Sequence, residues 1–150
     1  MAHVSSTIGI DAPPERVWAI AMDPDRLAEW VTIHRKLGEV SHRPLREGST
    51  VEQAFSLRGA HFKVHWTVTE LEEGRRVVWT GDGPVRSRAC TTYELAPDGN
   101  GGTRFVYEND FSAPGGPLGA VAARALVGGI SKREAERTLK RLKSLVESES

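Results

Sequence analysis

The stretch HFKVHWTV, residues 61–68, alternates strictly between two kinds of side chain. Its even positions are apolar, while its odd positions hold two histidines, a lysine and a threonine. Because successive side chains of a β-strand point to opposite faces of a sheet, one face here is apolar and the other is polar. The stretch therefore predicts a strand that covers an apolar interior on one side and meets solvent on the other.

The two histidines of this stretch, His61 and His65, raise the question of a metal or acid–base site. Residues four apart on a strand are about 13 Å apart, at ~3.3 Å per residue. That separation is too large for both imidazoles to bind one zinc ion through bonds of ~2.0–2.1 Å. Both histidines also lie on the polar face. We therefore predict that they face solvent, and we predict neither a metal nor a cofactor.

Similar alternating segments lie on both sides of this strand, separated by turns rich in glycine, aspartate and asparagine. Such turns are typical of hairpins, and short connections between consecutive strands predict an antiparallel sheet. A first strand is indicated at residues 3–10. The other six are predicted at residues 36–42, 50–57, 60–71, 76–80, 86–95 and 103–111.

Helical patterns occupy the rest of the chain. Two short helices are predicted at residues 11–22 and 23–30, each with proline in its first turn. One long helix is predicted from about residue 117 to residue 146, with Gly128 and Gly129 marking a bend or a close approach. The sequence thus predicts a single α+β domain spanning residues 1–150. In it, a curved seven-stranded antiparallel sheet wraps around the C-terminal helix.

Composition and charge exclude several functional classes. Charged residues make up 27% of the chain and hydrophobic residues 39%, which is typical of a folded globular protein. The 20 basic and 20 acidic residues cancel, so we predict no nucleic-acid partner. No window approaches the roughly 20 apolar residues of a membrane span. The single cysteine and the absence of a signal-peptide pattern predict a cytoplasmic location.

Four segments resemble those of a known superfamily: IDAPPERVWAIAMDPDRLAEW (10–30), VTELEEGRRVVWTG (68–81), YELAPDGNGGTRFVYE (93–108) and ERTLKRLKSLVE (136–147). They are similar to the START-like or SRPBCC superfamily, which has the helix-grip fold, and most of all to its polyketide cyclase/dehydrase and lipid transport branch. The resemblance implies a cavity between the sheet and the long helix. It also implies an apolar or amphipathic small molecule as the ligand.

The alternation of the strands then predicts which residues line that cavity. The predicted wall is mostly apolar with a few neutral polar groups, as small-molecule pockets usually are. Trp30 and His34 are expected near its entrance, and the long helix is expected to close it with Leu126 and Ile130. The remaining predicted wall residues are Gln53, Phe55, Trp66, Trp79, Tyr93, Tyr107 and Asn109.

Two functional hypotheses remain open after this reading. The first is a non-catalytic carrier or sensor of a hydrophobic molecule, and the second is a polyketide cyclase or aromatase acting in the same cavity. Catalysis would need a titratable side chain facing the ligand. The candidates are His34, His42 and Glu70, of which Glu70 continues the inward alternation after Val68. A subunit that binds a protein partner and has a collapsed cavity is a third possibility.

Overall fold

The computed structural model describes residues 2–113 and 130–149. Predictions on Leu126, Gly128 and Gly129 therefore lie outside the described residues. Seven strands are formed, and three helices accompany them in the described part of the chain. The elements are β1 (Ala2–Ile10), α1 (Pro14–Ala21), α2 (Leu27–Trp30), β2 (His34–Val40), β3 (Thr50–Leu57), β4 (Ala60–Glu72), β5 (Arg76–Asp82), β6 (Arg88–Pro97), β7 (Thr103–Ser112) and α3 (Lys132–Ser148).

The seven strands form one antiparallel sheet in the order β1-β7-β6-β5-β4-β3-β2. Strands β2 to β7 each pair with their neighbours in sequence, as short hairpin connections require. The first strand completes the sheet by pairing with β7, with Val4 opposite Asn109 and Ile8 opposite Phe105. The predicted seven-stranded helix-grip architecture is confirmed.

The segment between β1 and β2 forms two short helical elements, as predicted. Helix α1 has Pro14 at its first position and buries Val17 and Trp18. A single 3-10 turn at Pro24–Arg26 then leads into α2. The carboxylate of Asp23 accepts a hydrogen bond from the backbone N–H of Asp25 at 3.0 Å, which caps that turn. The two elements lie beside the C-terminal helix and complete the core.

The C-terminal helix α3 begins later than its apolar spacing predicts. Ser131 has extended backbone angles, and its Oγ accepts a hydrogen bond from the backbone N–H of Glu134 at 3.1 Å. This is an N-cap, so the helix begins at Lys132. The helix predicted for residues 117–146 is therefore wrong at Ile130 and Ser131, which lie before the first helical residue. The part of the predicted helix before Ile130 lies outside the described residues.

One face of α3 is buried against the sheet and the short helices. The buried residues recur at spacings of three and four, as the inner face of an amphipathic helix requires. They are Ala135, Thr138, Leu139, Leu142 and Val146. Three of them join a single apolar cluster with α1, Trp30 and the inner face of the sheet. The opposite face of the helix carries most of its charged residues, and those exposed to solvent are Lys132, Arg133, Glu136, Arg137, Lys140 and Arg141.

The alternation of β4 holds from Phe62 to Val68 and then breaks. Val68 is opposite Trp79, whereas Glu70 is opposite Val78, so Thr69 is an extra residue that forms a β-bulge. Beyond the bulge the faces exchange. The side chain of Glu70 is 64% exposed and bonds to Arg76 at 2.9 Å, while Leu71 packs against the core. The predicted inward orientation of Glu70 is therefore wrong.

The helices of residues 2–113 and 130–149 are too short or too polar to cross a membrane.

Candidate ligand-binding cavity

A cavity of about 130 Å³ lies between the inner face of the sheet, the short helical segment after β1, and the described C-terminal residues. This volume is roughly ten times what a single water molecule needs. The inner face contributes side chains from β3 to β7, while Trp30, Ile130 and Thr138 contribute from outside the sheet. The inner face of the sheet, Trp30 and Thr138 of α3 thus border a space large enough for part of a small organic molecule.

Most of the predicted wall residues line this cavity. They are Gln53, Phe55, Trp66, Trp79, Tyr93, Tyr107, Asn109 and Ile130, together with Trp30. Trp30 differs from its expected place near the entrance, because its side chain is only 1% exposed. Leu126 lies outside the described residues. That these side chains contact a ligand stays a prediction.

His34 does not line the cavity but lies behind a residue that does. The Nε1–H of Trp66 donates to the Oε1 of Gln53 at 3.0 Å, and the Nε2 of Gln53 donates to the Nδ1 of His34 at 2.9 Å. The indole can only donate, which fixes the orientation of the amide. His34 must then accept at Nδ1 and carry its proton on Nε2. It acts here as a positioning residue for Gln53 and Trp66.

The partial burial of His34 lowers its pKa below the ordinary value of 6.5. Because the folded-state pKa is depressed, the unfolded chain binds the proton more readily, and stability is lost as the pH falls below 6.5. Protonation would also turn Nδ1 into a donor facing the Gln53 amide. We therefore expect the free energy of unfolding to fall between pH 7.5 and pH 5. We expect a smaller fall in His34→Gln, as measured by urea denaturation.

Replacing His61, which lies on the outer face of β4, with glutamine provides the matched control for the loss of an imidazole. An equal slope in His34→Gln and in the wild type would contradict the role given to the His34–Gln53 hydrogen bond.

An aromatic cluster centred on Tyr93 lines one side of the cavity. The Tyr93 ring lies 6.0 Å from Trp30, 6.5 Å from Trp79 and 6.2 Å from Tyr107, measured between ring centroids. Phe105 supports it from the core at 5.4 Å. Burial raises the pKa of both tyrosines well above its ordinary value of 10. Both hydroxyls therefore stay protonated at neutral pH and can donate hydrogen bonds to a ligand.

A second polar pair lies where β6 and β7 face each other. Thr91 is directly opposite Asn109, and its hydroxyl donates to Asn109 Oδ1 at 2.8 Å. Both side chains are buried and both line the cavity. The hydrogen bond uses the carbonyl oxygen of the amide and leaves its N–H groups available. The buried amide of Asn109 thus has a hydrogen-bond partner inside the protein, and Thr91 lines the cavity wall beside it.

Gly81 makes room for Trp66, a role that the alternation of the strands does not predict. It lies opposite Trp66 in the pairing of β4 with β5. A Cβ atom at this position would lie 2.7 Å from two carbons of the Trp66 ring and 2.7 Å from a methyl carbon of Val64. A glycine inside a strand is a readable signal of such a close approach. Gly81 therefore determines how deeply the Trp66 ring sits in the wall.

Replacing Gly81 with alanine should displace the Trp66 ring. We expect a loss of about 1–3 kcal/mol in the free energy of unfolding, because overpacking forces neighbours to move. Urea denaturation followed by tryptophan fluorescence measures it. Gly9→Ala is the control, since nothing lies within 4 Å of a Cβ atom there. Equal stability of the two variants would contradict the close packing of Trp66 on Gly81.

The polar face of β4 is as the opening stretch predicts. His61, Lys63 and His65 are exposed on the outer side of the sheet, and His65 Nδ1 lies 3.5 Å from Glu52 Oε2. Within the described ranges, no three histidine, cysteine or acidic side chains come together as metal ligands would. The histidine pair is part of the solvent-facing surface.

Comparison with known proteins agrees with this architecture. The family model described as polyketide cyclase / dehydrase and lipid transport matches residues 1–147. The chain belongs to this family. A relative from Mycobacterium tuberculosis (strain ATCC 25618 / H37Rv), named Toxin Rv0910, is 30% identical over 132 residues, which are 84% of this chain and 88% of that protein.

Solved structures show the same fold at low sequence identity. The Zhui aromatase/cyclase from Streptomyces sp. R1128 superposes with a TM-score of 0.77 at 15% identity, covering 97% of this chain and 93% of that one. A START superfamily protein from Mycobacterium smegmatis gives 0.76 at 14% identity, with all of both chains covered. This polyketide cyclase/dehydrase and lipid transport family member therefore has the SRPBCC fold.

Proposed function

We propose that the protein binds a hydrophobic or amphipathic small molecule, lipid-like or polyketide-like, in the cavity between the sheet and α3, as a carrier or sensor. The observation that carries the proposal is the cavity itself, whose wall is formed by aromatic and aliphatic side chains with a few neutral polar groups. Such a lining favours apolar ligands, because their burial removes apolar surface from water. A cavity of about 130 Å³ also argues against a collapsed core in a partner-binding subunit.

Polyketide cyclase-like catalysis in the same cavity is the second candidate, and the description of the family supports it. A cyclisation needs a group that can take a proton from the substrate. Among the described wall residues, the titratable groups are Tyr93, Tyr107 and Arg88. The raised pKa of both tyrosines makes them donors rather than bases. The Arg88 side chain is 63% exposed, and its Nε lies 3.2 Å from Oδ1 of Asp82. The carrier or sensor hypothesis is therefore preferred.

Native mass spectrometry of the purified protein tests the proposal first. We expect a co-purified apolar molecule, removable by extraction, or the uptake of one equivalent of the neutral fluorescent probe N-phenyl-1-naphthylamine by the extracted protein. The fluorescence of the probe should rise on binding, because the cavity excludes water. The cytoplasmic location stays a prediction.

A matched pair of variants on β6 locates the binding site. Ala89 lines the cavity, whereas Ala96 is exposed and lies outside it. Ala89→Trp should fill the space and weaken probe binding by about tenfold or more, while Ala96→Trp should leave it unchanged. Equal binding by both variants, or no binding by the extracted wild type, would contradict the proposal.

A further inference from the structure

A single side-chain amide connects the cavity wall to the edge of the sheet. The buried Gln53 lies between Trp66, which lines the cavity, and His34, which belongs to the edge strand β2. Its Oε1 accepts from the indole N–H at 3.0 Å, and its Nε2 donates to Nδ1 of the imidazole at 2.9 Å. A change in the hydrogen bonding of His34 is therefore passed to Trp66 through one amide group.

These two hydrogen bonds are compatible only while His34 is neutral. A protonated imidazole carries hydrogen on both nitrogens, so its Nδ1–H would face the N–H group of Gln53. Rotating the amide by about 180° would turn its oxygen towards His34, but its N–H group would then face the indole N–H of Trp66. Either orientation leaves two donors facing each other. Because a charged donor forms the stronger hydrogen bond, the rotated amide is favoured, and Trp66 loses its acceptor.

The charged groups around His34 are bonded to other partners. The elements packed against β2 are β3, α2 and the 3-10 turn before α2. Their charged residues form ion pairs elsewhere: Glu52 with Lys63 and His65, Asp25 with Arg43, and Arg26 with Glu29 and Glu149. The charged residues of β2 itself, Arg35, Lys36 and Glu39, are exposed. Burial is the cause that lowers the pKa of His34, and no carboxylate of the described residues raises it.

The position of the Trp66 ring determines the shape of the wall at this place. The ring packs on Gly81 and meets the Trp79 ring edge-on at 6.4 Å between centroids. Without Gln53 as its acceptor, the partly buried indole N–H has no partner among the described residues, which favours a ring position closer to water. The wall that a ligand contacts therefore differs between the neutral and the protonated state of His34.

We propose that a proton on His34 and a ligand in the cavity oppose each other, with Gln53 as the relay between them. This rests on the proposed function and adds a regulatory property to the same cavity. By linkage, each weakens the binding of the other by the same factor, so acidification releases the ligand and ligand binding releases a proton. Because the two states differ by the one hydrogen bond of Trp66, we expect a factor of about three to ten.

Binding of N-phenyl-1-naphthylamine to the extracted full-length protein at pH 7.5 and pH 5.0 tests the proposal, and the ratio of the two affinities is compared between variants. The wild-type affinity should be about three- to tenfold lower at pH 5.0. His34→Gln should show no such fall, because glutamine offers Gln53 an acceptor oxygen but does not titrate. Trp66→Phe should also lose the fall, since phenylalanine has no N–H group. His61→Gln is the matched control and should keep it. Circular dichroism at both pH values shows that each variant is folded.

The NMR signal of the Trp66 indole N–H, followed through a pH titration without ligand, gives a second and independent readout. It should shift with the same midpoint as the His34 imidazole, and this shift should disappear in His34→Gln. Equal wild-type affinities at the two pH values, an equal fall in His34→Gln and the wild type, or a Trp66 signal that does not follow His34 would overturn the inference alone. No binding of the probe at pH 7.5 would overturn the proposed function, and the inference with it.

Discussion

Replacing Trp66 with alanine should lower the free energy of unfolding by about 3 kcal/mol and change which molecules the cavity accepts. The ring packs on Gly81, meets the Trp79 ring edge-on at 6.4 Å between centroids, and donates to Gln53. Its removal enlarges the cavity and leaves the buried Oε1 of Gln53 without its donor. We place the loss at the low end for a tryptophan because Trp66 is only partly buried.

Urea denaturation measures the stability of Trp66→Ala, and probe displacement measures its binding. Affinity for probes bulkier than N-phenyl-1-naphthylamine should rise relative to affinity for N-phenyl-1-naphthylamine itself. Trp66→Phe is the control, since it keeps most of the ring and should lose about 1 kcal/mol, the worth of one hydrogen bond. If Trp66→Ala matched the wild type in both stability and binding, Trp66 would not be part of the cavity wall.

The second large effect is expected in the helix that the sheet surrounds. Leu142 is 0% exposed and belongs to the apolar cluster that joins α3 to the sheet and the short helices. Leu142→Ala should therefore cost about 3 kcal/mol or more, from lost burial and from the cavity left behind. Thermal or urea unfolding, followed by circular dichroism, measures this loss.

Lys140→Ala on the exposed face of the same helix is the comparison for Leu142→Ala. It should change stability by no more than about 0.5 kcal/mol. Similar small losses in both variants would mean that α3 is not held against the core by its apolar face, and the helix-grip arrangement would lose its energetic basis.

The fold could be predicted because the sequence patterns that specify its strands and turns each lie within a few consecutive residues. The alternation around Trp66 assigns two faces to β4, and the glycine-rich turns show where the strands reverse. The Thr69 bulge could not be read in this way. One extra residue in a strand costs little and leaves no mark on composition, yet it exchanges the faces of everything beyond it, as Glu70 and Leu71 demonstrate.

The start of α3 is marked in the sequence by a capping pattern that the apolar spacing does not show. Ser131 followed by Glu134 is the S-x-x-E pattern of a capped helix start, and it competes with apolar spacing that runs on through Ile130. The observed cap is formed by the Ser131 side chain, which satisfies a backbone N–H that the helix itself cannot. The capping pattern of Ser131 and Glu134 therefore predicts where the helix begins more accurately than the apolar periodicity does.

The wall of the cavity follows from alternation, but its polar connections do not. The hydrogen bond from Trp66 to Gln53 joins β4 to β3, and the one from Gln53 to His34 joins β3 to β2, whose pairing contains two irregularities. Periodicity predicts the face that a residue occupies and not its partner on the next strand. His34 is predicted near the entrance because it follows the second short helix, yet it lies behind Gln53.

The most direct test of the central claim is a two-dimensional NMR spectrum of the four tryptophan indole N–H groups, recorded with and without N-phenyl-1-naphthylamine. Three of these residues, Trp30, Trp66 and Trp79, line the cavity, while Trp18 lies in the core. We predict that saturating N-phenyl-1-naphthylamine shifts the signals of those three and leaves that of Trp18 in place. If the ligand moved none of the three, or shifted Trp18 as much as Trp79, the sheet and α3 would not enclose a binding site.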